Sequence, residues 1–456
     1  MWGFVTSMND ILIPYMKEVF ELTNYQAMLI QFAFFGAYFI GSLVYFILSA
    51  RFGDPIARMG YQRGAVFGLV IAGAGALLFY PASVTLSYPF FLAALFTMGL
   101  GFTLLQISAN PYVIAIGDES TGSSRLNLCQ GVNSLGTTLG PLVGGGLILS
   151  VLESNQNSGA EAVQLPYLGF AGLMFALAIF IALAKLPRIV PEGTVQRGTE
   201  VLRKPYVLLG ILTIFCYVGA EVSVGSIMID FIDSEIDGYD KEGASSFVAL
   251  YWGGLMIGRF LGAVLTGGVE LRTKIIALTM IPTLGFFGLA FLVSNGSDLD
   301  YVTTLTNIRP LAVFLVLNVI AFVIGASKPG RTIGVFAICA AILLGVVMRS
   351  EGNLALWSLV AIGLFNSVMW SNVFALSLRG LGKLQSQASS LLVMAIVGGA
   401  LLPLLQGWLA DIRGFQFSFI VPLIAYLYIA FYGLWGHHVG RGNASTESLS
   451  ANGESA

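Results

Sequence analysis

Three ionisable side chains stand inside long apolar stretches of the chain: Asp10, Glu221 and Arg259. Burying a charge in apolar surroundings is costly, so each of these groups needs a partner or a function. A carboxylate whose proton or ion occupancy changes with its exposure can couple a cation to a movement, which makes Asp10 and Glu221 candidate cation-coupling residues. Two simpler roles stay open, a helix-end carboxylate wetted by solvent for Asp10 and a hydrogen bond between helices for Glu221. Arg259 is expected to act in gating or as a structural brace.

Amide side chains recur at helical spacing in the same kind of sequence. Gln106 and Asn110 are four residues apart and share a helix face, and Asn127, Gln130 and Asn133 follow at three-residue spacing. Each amide offers both a donor and an acceptor, so such clusters suit a ligand that is rich in hydroxyl groups. The alternative role is hydrogen bonding between helices, which is worth roughly 1 kcal/mol a pair.

A third polar group, Asn366, Trp370 and Asn372, lies in the second half of the chain. Its two amides beside an indole extend the pattern of the first two clusters and favour a binding site. Gln31 and Asn318 are isolated, and a hydrogen bond between helices is the simpler interpretation for both.

The composition requires a lipid environment. Hydrophobic residues make up 56% and charged residues 10% of the 456-residue chain, and the mean hydropathy is +0.84. Apolar runs of about 20 residues exclude a β-barrel, whose strands alternate over segments of about 10. The net charge of −2 is uninformative about partners, but the lack of any basic, aromatic-interleaved stretch predicts no nucleic-acid partner. With the only histidines at 437 and 438 and no metal or nucleophile motif, the sequence predicts neither an enzyme nor a metal site.

The apolar segments predict an all-α polytopic membrane protein with about fourteen transmembrane helices. The first segment provides roughly 22 Å of helix, less than the ~30 Å of a bilayer core, so the first helix is expected to be truncated at its start. The segments fall at about 1–16, 24–50, 63–81, 88–116, 126–151, 166–185, 206–232, 246–268, 274–294, 311–326, 332–348, 354–378, 386–410 and 416–436.

Two blocks of sequence repeat in the same order, which indicates a duplicated architecture. The first repeats at 363 − 101 = 262 residues and the second at 253 − 36 = 217. Duplicated halves in one orientation are typical of alternating-access transporters, with the substrate site between the halves. The difference, 262 − 217 = 45 residues, fits two added helices and a loop, and 274–294 and 311–326 are the expected additions. The matching pairs are Gly36/Gly253, Ile40/Ile257, Gly41/Gly258, Gly101/Gly363, Asn110/Asn372, Ser124/Ser386, Gly136/Gly398, Leu139/Leu401, Pro141/Pro403 and Gly145/Gly407.

The lysines and arginines of the loops predict the orientation. Sixteen fall on one side and five on the other, while Arg259 lies within a helix, which accounts for all 22. The basic side is expected to be cytoplasmic. This places both termini in the cytoplasm, together with a linker at 186–205 between an N-terminal bundle at 1–185 and a C-terminal bundle at 206–436. The polar tail at 437–456 is expected to be disordered.

Motifs along nearly the whole chain resemble the fucose:proton symporter family of the major facilitator superfamily, the branch of fucose permease and the glucose/galactose transporters. Those closest to the glucose/galactose members are YVGAEV (217–222), WGG (252–254) and AYLYIAFYG (425–433). The others are NDILIP (9–14), LIQF (29–32), GAYF (36–39), SANP (108–111), RLNLCQ (125–130) and NSLG (133–136).

The resemblance implies two pseudo-symmetric six-helix bundles, to which this chain adds a helix pair, and cation-coupled sugar uptake. It assigns the proton coupling to an Asp that matches Asp10 and to a Glu whose place is taken here by Gln106. Two cavity positions match Gln130 and Asn133, and a cavity Asn falls on Ser7. Because an amide cannot titrate, either Asp10 carries the proton alone, or Glu221 takes over the missing role, or the coupling ion is Na⁺.

These inferences together predict a monomeric hexose symporter of the bacterial inner membrane. It would take up a sugar such as glucose or galactose by alternating access with H⁺ or Na⁺ and need no cofactor besides the co-transported ion. Fucose or an amino sugar is the alternative substrate, and an exporter of amphiphiles, with an apolar aromatic cavity, is the rival transporter class. The expected substrate-binding residues are Ser7, Asn9, Gln31, Gln106, Asn110, Asn127, Gln130, Asn133, Asn366, Trp370 and Asn372.

Overall fold

A computed structural model describes residues 2–6, 12, 16, 19–22, 24–154, 163–187, 189, 198–239, 241–295 and 300–440, and every regular element within these ranges is a helix. The N-terminal half comprises α1 (residues 2–6), α2 (Asn24–Phe52), α3 (Pro55–Met59), α4 (Tyr61–Leu77), α5 (Phe79–Val84), α6 (Tyr88–Ala115), α7 (Gly122–Ser154) and α8 (Gln164–Leu183).

The C-terminal half begins after a short 3-10 turn at Glu200–Arg203 and consists of twelve helices. They are α9 (Pro205–Glu235), α10 (Lys241–Leu265), α11 (Leu271–Asn295), α12 (Tyr301–Asn307), α13 (Arg309–Gly325), α14 (Pro329–Val347), α15 (Gly352–Asn366), α16 (Met369–Leu378), α17 (Gln385–Met394), α18 (Gly398–Arg413), α19 (Phe415–Ser418) and α20 (Ile420–Leu434).

Apart from the first segment, which is described only in part, each predicted apolar segment contains a helix, and the helix lengths suit a membrane. Within the described residues, eleven helices are long and apolar enough to cross a bilayer, and α12 with α13, bent by 55°, provides a twelfth span. Helix α7 is not among these spans but, with 33 residues, is also long enough to cross a bilayer. The side chains of its second half lie outside the description. The total of fourteen and the truncation of the first helix stay predictions, because the start of the chain is described only in part.

The helices expected to be additions lie at the outside of the C-terminal half. Helix α11 packs on α10, and α13 packs on α14 and α15. Only 22% of the spanning window of α11 is buried, whereas the span at Gly352–Leu378 is 100% buried. A pair of helices at this outer position can be added without disturbing the helices that form the interface between the two halves. The domain boundaries themselves stay a prediction, and the tail beyond residue 440 lies outside the description.

Repeated glycines let helices approach closely at equivalent places in the two halves. A Cβ at Gly101 in α6 would overlap the backbone of Ala72 in α4, and one at Gly363 in α15 would overlap the carbonyl of Tyr251 in α10. Side-chain-free positions allow such backbone contacts, which replace hydrophobic collapse as the source of helix association in lipid. The repeat of these glycines in the sequence therefore corresponds to a repeat of close helix contacts in the two halves.

The two halves meet towards the end of the molecule where α2 and α6 finish and α7 begins. We call this the basic end, because Arg51, Arg58, Arg63 and Arg125 lie there. Helix α7 packs against α10, and α17 packs against α2 and α6. At this end Asp54 caps α3 and accepts a 2.5 Å hydrogen bond from the Tyr45 hydroxyl. Burial raises the pKa of the Asp54 carboxyl.

Two helices that were predicted as continuous are interrupted beside the centre of the molecule. The segment predicted at 354–378 breaks between α15 and α16, and a 3-10 turn at Ala395–Val397 separates α17 from α18. Interrupted backbone at membrane depth is tolerated where it is buried in protein or lines a cavity, because its free polar groups can then find partners. The oxygen of Ser367, in the first break, accepts a bond from Arg259.

Candidate functional site

A cavity of about 190 Å³ lies between the halves, and both contribute to its wall. From the N-terminal half it is lined by α1, α2, α6 and α7, and from the C-terminal half by α9, α10, α16 and the turn after α17. Its polar and aromatic lining residues are Trp2, Thr6, Phe34, Phe35, Tyr38, Gln106, Gln130, Asn133, Ser134, Thr137, Glu221, Trp252, Arg259 and Trp370.

Amide groups of the N-terminal wall are held by short hydrogen bonds. The Gln106 side chain donates to the Tyr38 hydroxyl at 3.1 Å, which joins α6 to α2. The Asn133 oxygen accepts from the Gly3 amide at 2.7 Å and so fixes α1 against α7. Each bond uses only part of the hydrogen-bonding capacity of its amide, and the remaining donors and acceptors are free to meet a ligand.

An ion pair forms the wall of the C-terminal half. A Glu221 oxygen lies 3.7 Å from an Arg259 nitrogen, and both residues are 8% exposed. The Tyr217 hydroxyl donates to the same Glu221 oxygen at 2.5 Å from one turn earlier on α9. The pairing resolves the problem posed by two charges in apolar sequence, because each neutralises the other at the edge of the cavity.

Arg259 also ties the two halves together. It donates to the Ser134 hydroxyl at 2.5 Å and to the Gln130 carbonyl at 3.5 Å, both on α7. A further bond of 3.1 Å goes to the Ser367 carbonyl. One guanidinium therefore joins Glu221 to the N-terminal half, as its fixed fork of donors allows. These contacts join both halves at one side chain, while the bracing role of Arg259 stays a prediction.

A second layer of hydrogen bonds supports Glu221 from behind. The Tyr251 hydroxyl donates to the Glu221 carbonyl at 3.0 Å and accepts from the Asn366 amide at 2.7 Å. The Asn366 oxygen accepts from the Tyr426 hydroxyl at 2.7 Å. Asn366 is fully buried in this network and does not line the cavity. Its contacts are those of a residue that orients the helices around Glu221.

Three other predicted amides are buried near the cavity without lining it. Asn110, Asn127 and Asn372 are no more than 2% exposed. Asn127 donates to Asn372 at 3.1 Å across the two halves. The expectation of one cavity shared by all the amides therefore has to be corrected. Gln106, Gln130 and Asn133 line the cavity, but Asn110, Asn127, Asn366 and Asn372 do not.

Of the remaining predicted residues, Trp370 lines the cavity and stacks on Phe374, with ring centroids 4.9 Å apart. Ser7, Asn9 and Asp10 lie outside the described residues, as does the side chain of Gln31. The roles assigned to these four stay predictions.

Several cavity residues were not predicted. Tyr38, Ser134 and Trp252 entered the prediction only as parts of motifs, and Trp2 and Thr6 were not singled out. The spacing of four residues between Tyr217 and Glu221 was a usable signal, because it places both on one helix face. Aromatic residues are too common in membrane helices for their type alone to reveal a binding site.

Three comparisons relate this geometry to known proteins. The family model described as Major Facilitator Superfamily matches residues 2–348. A glucose/galactose transporter of Brucella abortus is 40% identical over 441 residues, covering 96% of this chain and 91% of the relative. A putative glucose/galactose transporter of Helicobacter pylori is 35% identical, covering 96% and 94%.

The structural comparison points the same way. The crystal structure of FucP, a Major Facilitator Superfamily transporter in the outward conformation, superimposes with a TM-score of 0.73 at 25% identity, covering 95% of both chains. The L-fucose-proton symporter of Escherichia coli is 27% identical, covering 91% of this chain and 85% of the relative. With the family model matching most of its length and relatives well above 30% identity, the chain belongs to the Major Facilitator Superfamily.

Proposed function

We propose that the protein is a secondary active transporter that imports a hexose such as glucose or galactose together with H⁺ or Na⁺. The observation that carries this proposal is a cavity between the halves that combines amides with indole rings. Gln106, Gln130 and Asn133 offer paired donors and acceptors to sugar hydroxyls, while Trp252 and Trp370 offer flat apolar surfaces to the C–H faces of the ring. The relatives at 40% and 35% identity carry names of sugar transporters.

The placement of the contacts supports an outward-facing state. The bond from Ser124 to the Ala263 carbonyl and that between Asn127 and Asn372 both lie between the cavity and the basic end. Since loops rich in Lys and Arg stay in the cytoplasm, we place the basic end there and the protein in the bacterial inner membrane. The cavity is then closed towards the cytoplasm, as suits a state that receives sugar from outside.

Coupling is assigned to Asp10 and Glu221. Gln106 hydrogen-bonds to Tyr38 and has no proton to exchange, so this position cannot serve a proton cycle. Glu221 faces the cavity beside Arg259, where binding of a proton would release the guanidinium from its partner. A sodium ion is the alternative, because Asp10 with amide and backbone oxygens would form the oxygen-rich site that a hard cation prefers.

The cavity argues against the rival exporter of amphiphiles. Such a transporter needs a broad apolar surface, whereas this cavity holds three amides and an ion pair. An amphiphile would leave the remaining donors and acceptors of these groups without partners, at a cost of about 1–3 kcal/mol for each one desolvated. Fucose or an amino sugar fits the same chemistry and stays the alternative substrate.

The function is tested by uptake of radiolabelled sugars into proteoliposomes containing the full chain, with proton and sodium gradients imposed separately. We expect glucose or galactose to accumulate under one of the two gradients and not in empty liposomes. Uptake that a sodium gradient drives at fixed pH, and that a protonophore leaves unchanged, identifies Na⁺ as the coupling ion. No accumulation of any hexose under either gradient would contradict the proposal.

Replacing Gln130 or Asn133 with alanine is expected to raise the Kd for sugar by about tenfold or more. Losing a hydrogen bond in a buried site costs about 1–3 kcal/mol, and each 1.4 kcal/mol is a factor of ten. Equilibrium sugar binding to the purified protein measures this change. The control is Gln406→Ala, since Gln406 is a buried amide that donates to the Ser418 hydroxyl away from the cavity. An unchanged Kd in both cavity variants would remove these amides from the site.

A further inference from the structure

Five buried polar side chains lie just below the cavity, on the side of the basic end. Four are on helices that also line the cavity, and the fifth, Ser389, is on α17, directly before the turn that lines it. Each is two to seven residues nearer the basic end than the lining residue of the same helix or of the following turn. The lining residues are Tyr38, Gln106, Gln130, Trp370 and Ile396. The five below them, which we call the polar ring, are Ser42, Asn110, Asn127, Asn372 and Ser389.

The members of the polar ring are hidden from solvent and incompletely hydrogen-bonded. Asn110 is 2% exposed, and the other four are fully buried. The Oγ atoms of Ser42 and Ser389, Nδ2 of Asn110, Oδ1 of Asn127 and Nδ2 of Asn372 have no hydrogen-bond partner among the described residues. Buried polar atoms are normally paired, and each one left unpaired costs about 1–3 kcal/mol.

All five lie where the two halves touch. Helix α17, which carries Ser389, packs against α2 and α6, which carry Ser42 and Asn110. The direct bond between Asn127 and Asn372 crosses from α7 to α16. A separation of the halves at the basic end would therefore expose these five groups in one step.

We propose that the polar ring is a second sugar-contacting site, which hydrates when the halves separate and binds the hydroxyls of the departing sugar. In the inward-facing state the unpaired atoms then find water and sugar partners. This state therefore lacks the free-energy cost that the unpaired atoms impose on the outward-facing state. The inference rests on the proposed function for the identity of the sugar. It assigns Asn110, Asn127 and Asn372 to release, rather than to the cavity where their spacing first placed them.

Cysteine accessibility tests the proposal. In a chain with Cys129, Cys216 and Cys339 replaced by alanine, Ser42→Cys or Ser389→Cys is introduced and membrane-impermeant methanethiosulfonate is added to either face of membrane vesicles. We expect both thiols to react from the cytoplasmic face at least about tenfold faster than a control thiol, because buried thiols are inert. D-galactose and D-glucose, added at saturating concentration, are expected to slow the labelling of both thiols, because a sugar bound at the ring covers them.

The matched control is Ser377→Cys. Ser377 lies on α16 near Asn372 and is equally buried, but it hydrogen-bonds to Tyr432 at 2.9 Å within the C-terminal half. If both ring thiols react from either face as slowly as this control, in protein that still transports sugar, the ring never opens and the proposal is overturned. If instead neither sugar is transported, the proposed function fails, while the labelling rates still report whether the ring opens.

Kinetics give a second readout. Asn110→Ala is expected to lower the maximal uptake rate while changing the Kd for sugar far less than Gln130→Ala does, because Asn110 meets the sugar only after the cavity has opened inward. Equilibrium binding and initial uptake rates on the same preparation separate the two effects. An Asn110→Ala variant whose Kd rises as much as that of Gln130→Ala would return Asn110 to the cavity and contradict its role in release.

Discussion

Arg259→Ala is expected to lower the sugar uptake rate by about a hundredfold or more. The change leaves the Glu221 carboxylate buried without its partner at 3.7 Å. Removing one member of a buried ion pair costs about 3–5 kcal/mol, and each 1.4 kcal/mol is a factor of ten. The same change deletes the bond to Ser134, so the two halves lose a tether next to the cavity. Initial uptake rates, corrected for the amount of protein in the membrane, measure the effect.

Three further variants separate the charge from the tether. Ser134→Ala removes one of the two acceptors on α7 and leaves the Gln130 carbonyl, so it is expected to have a small effect. Arg259→Lys keeps the charge but cannot reach Ser134, Ser367 and Glu221 at once, so we expect an intermediate loss. The double variant Glu221→Gln with Arg259→Gln leaves no unpaired buried charge. We therefore expect it to fold stably but to show no coupled accumulation of sugar. Full uptake by Arg259→Ala would show that the pair has no part in transport.

Asp10→Asn is expected to abolish accumulation of sugar against its gradient while leaving exchange of sugar across the membrane in place. An asparagine has nearly the shape of an aspartate but cannot take up a proton, and it is a weaker ligand for Na⁺ because it carries no charge. Uphill uptake and counterflow in the same proteoliposomes distinguish the two processes. The control is Asp411→Asn, an exposed carboxylate at the end of α18.

A normal level of uphill accumulation by Asp10→Asn would remove this residue from the coupling mechanism. Glu221→Gln should then show the loss instead, since Glu221 is the other carboxylate assigned to coupling. If both variants lose accumulation, the two groups act in one cycle. In either case, Gln106→Glu tests the position where the resemblance implies a second coupling carboxylate. Because a glutamate there can bind a proton, we expect the uptake rate to depend more strongly on external acid.

The sequence by itself determined the class of the protein and much of its helical plan. Continuous apolar runs with few charges can be stable only as helices in lipid, because each backbone polar group must be paired within its own segment. The glycines at 101 and 363 predicted the duplication, and the structure shows both at close helix contacts. Local spacing singled out Gln106, Gln130 and Asn133 among the amides, and the structure places all three on the wall of the cavity.

Only the tertiary structure decided which polar groups meet. Arg259 is 125 residues from Ser134 in sequence, and no local pattern indicates that one donates to the other. The helices carry apolar residues all round, because lipid on one side and protein on the other are equally apolar, so periodicity does not reveal which face is inside. Two further features separate amides that their spacing had grouped together. One is the position of each amide along its helix relative to the cavity, and the other is the pair of breaks after Asn366 and Met394. Gln130 therefore reaches the cavity, while Asn127, one turn away on the same helix, is sealed below it against Asn372.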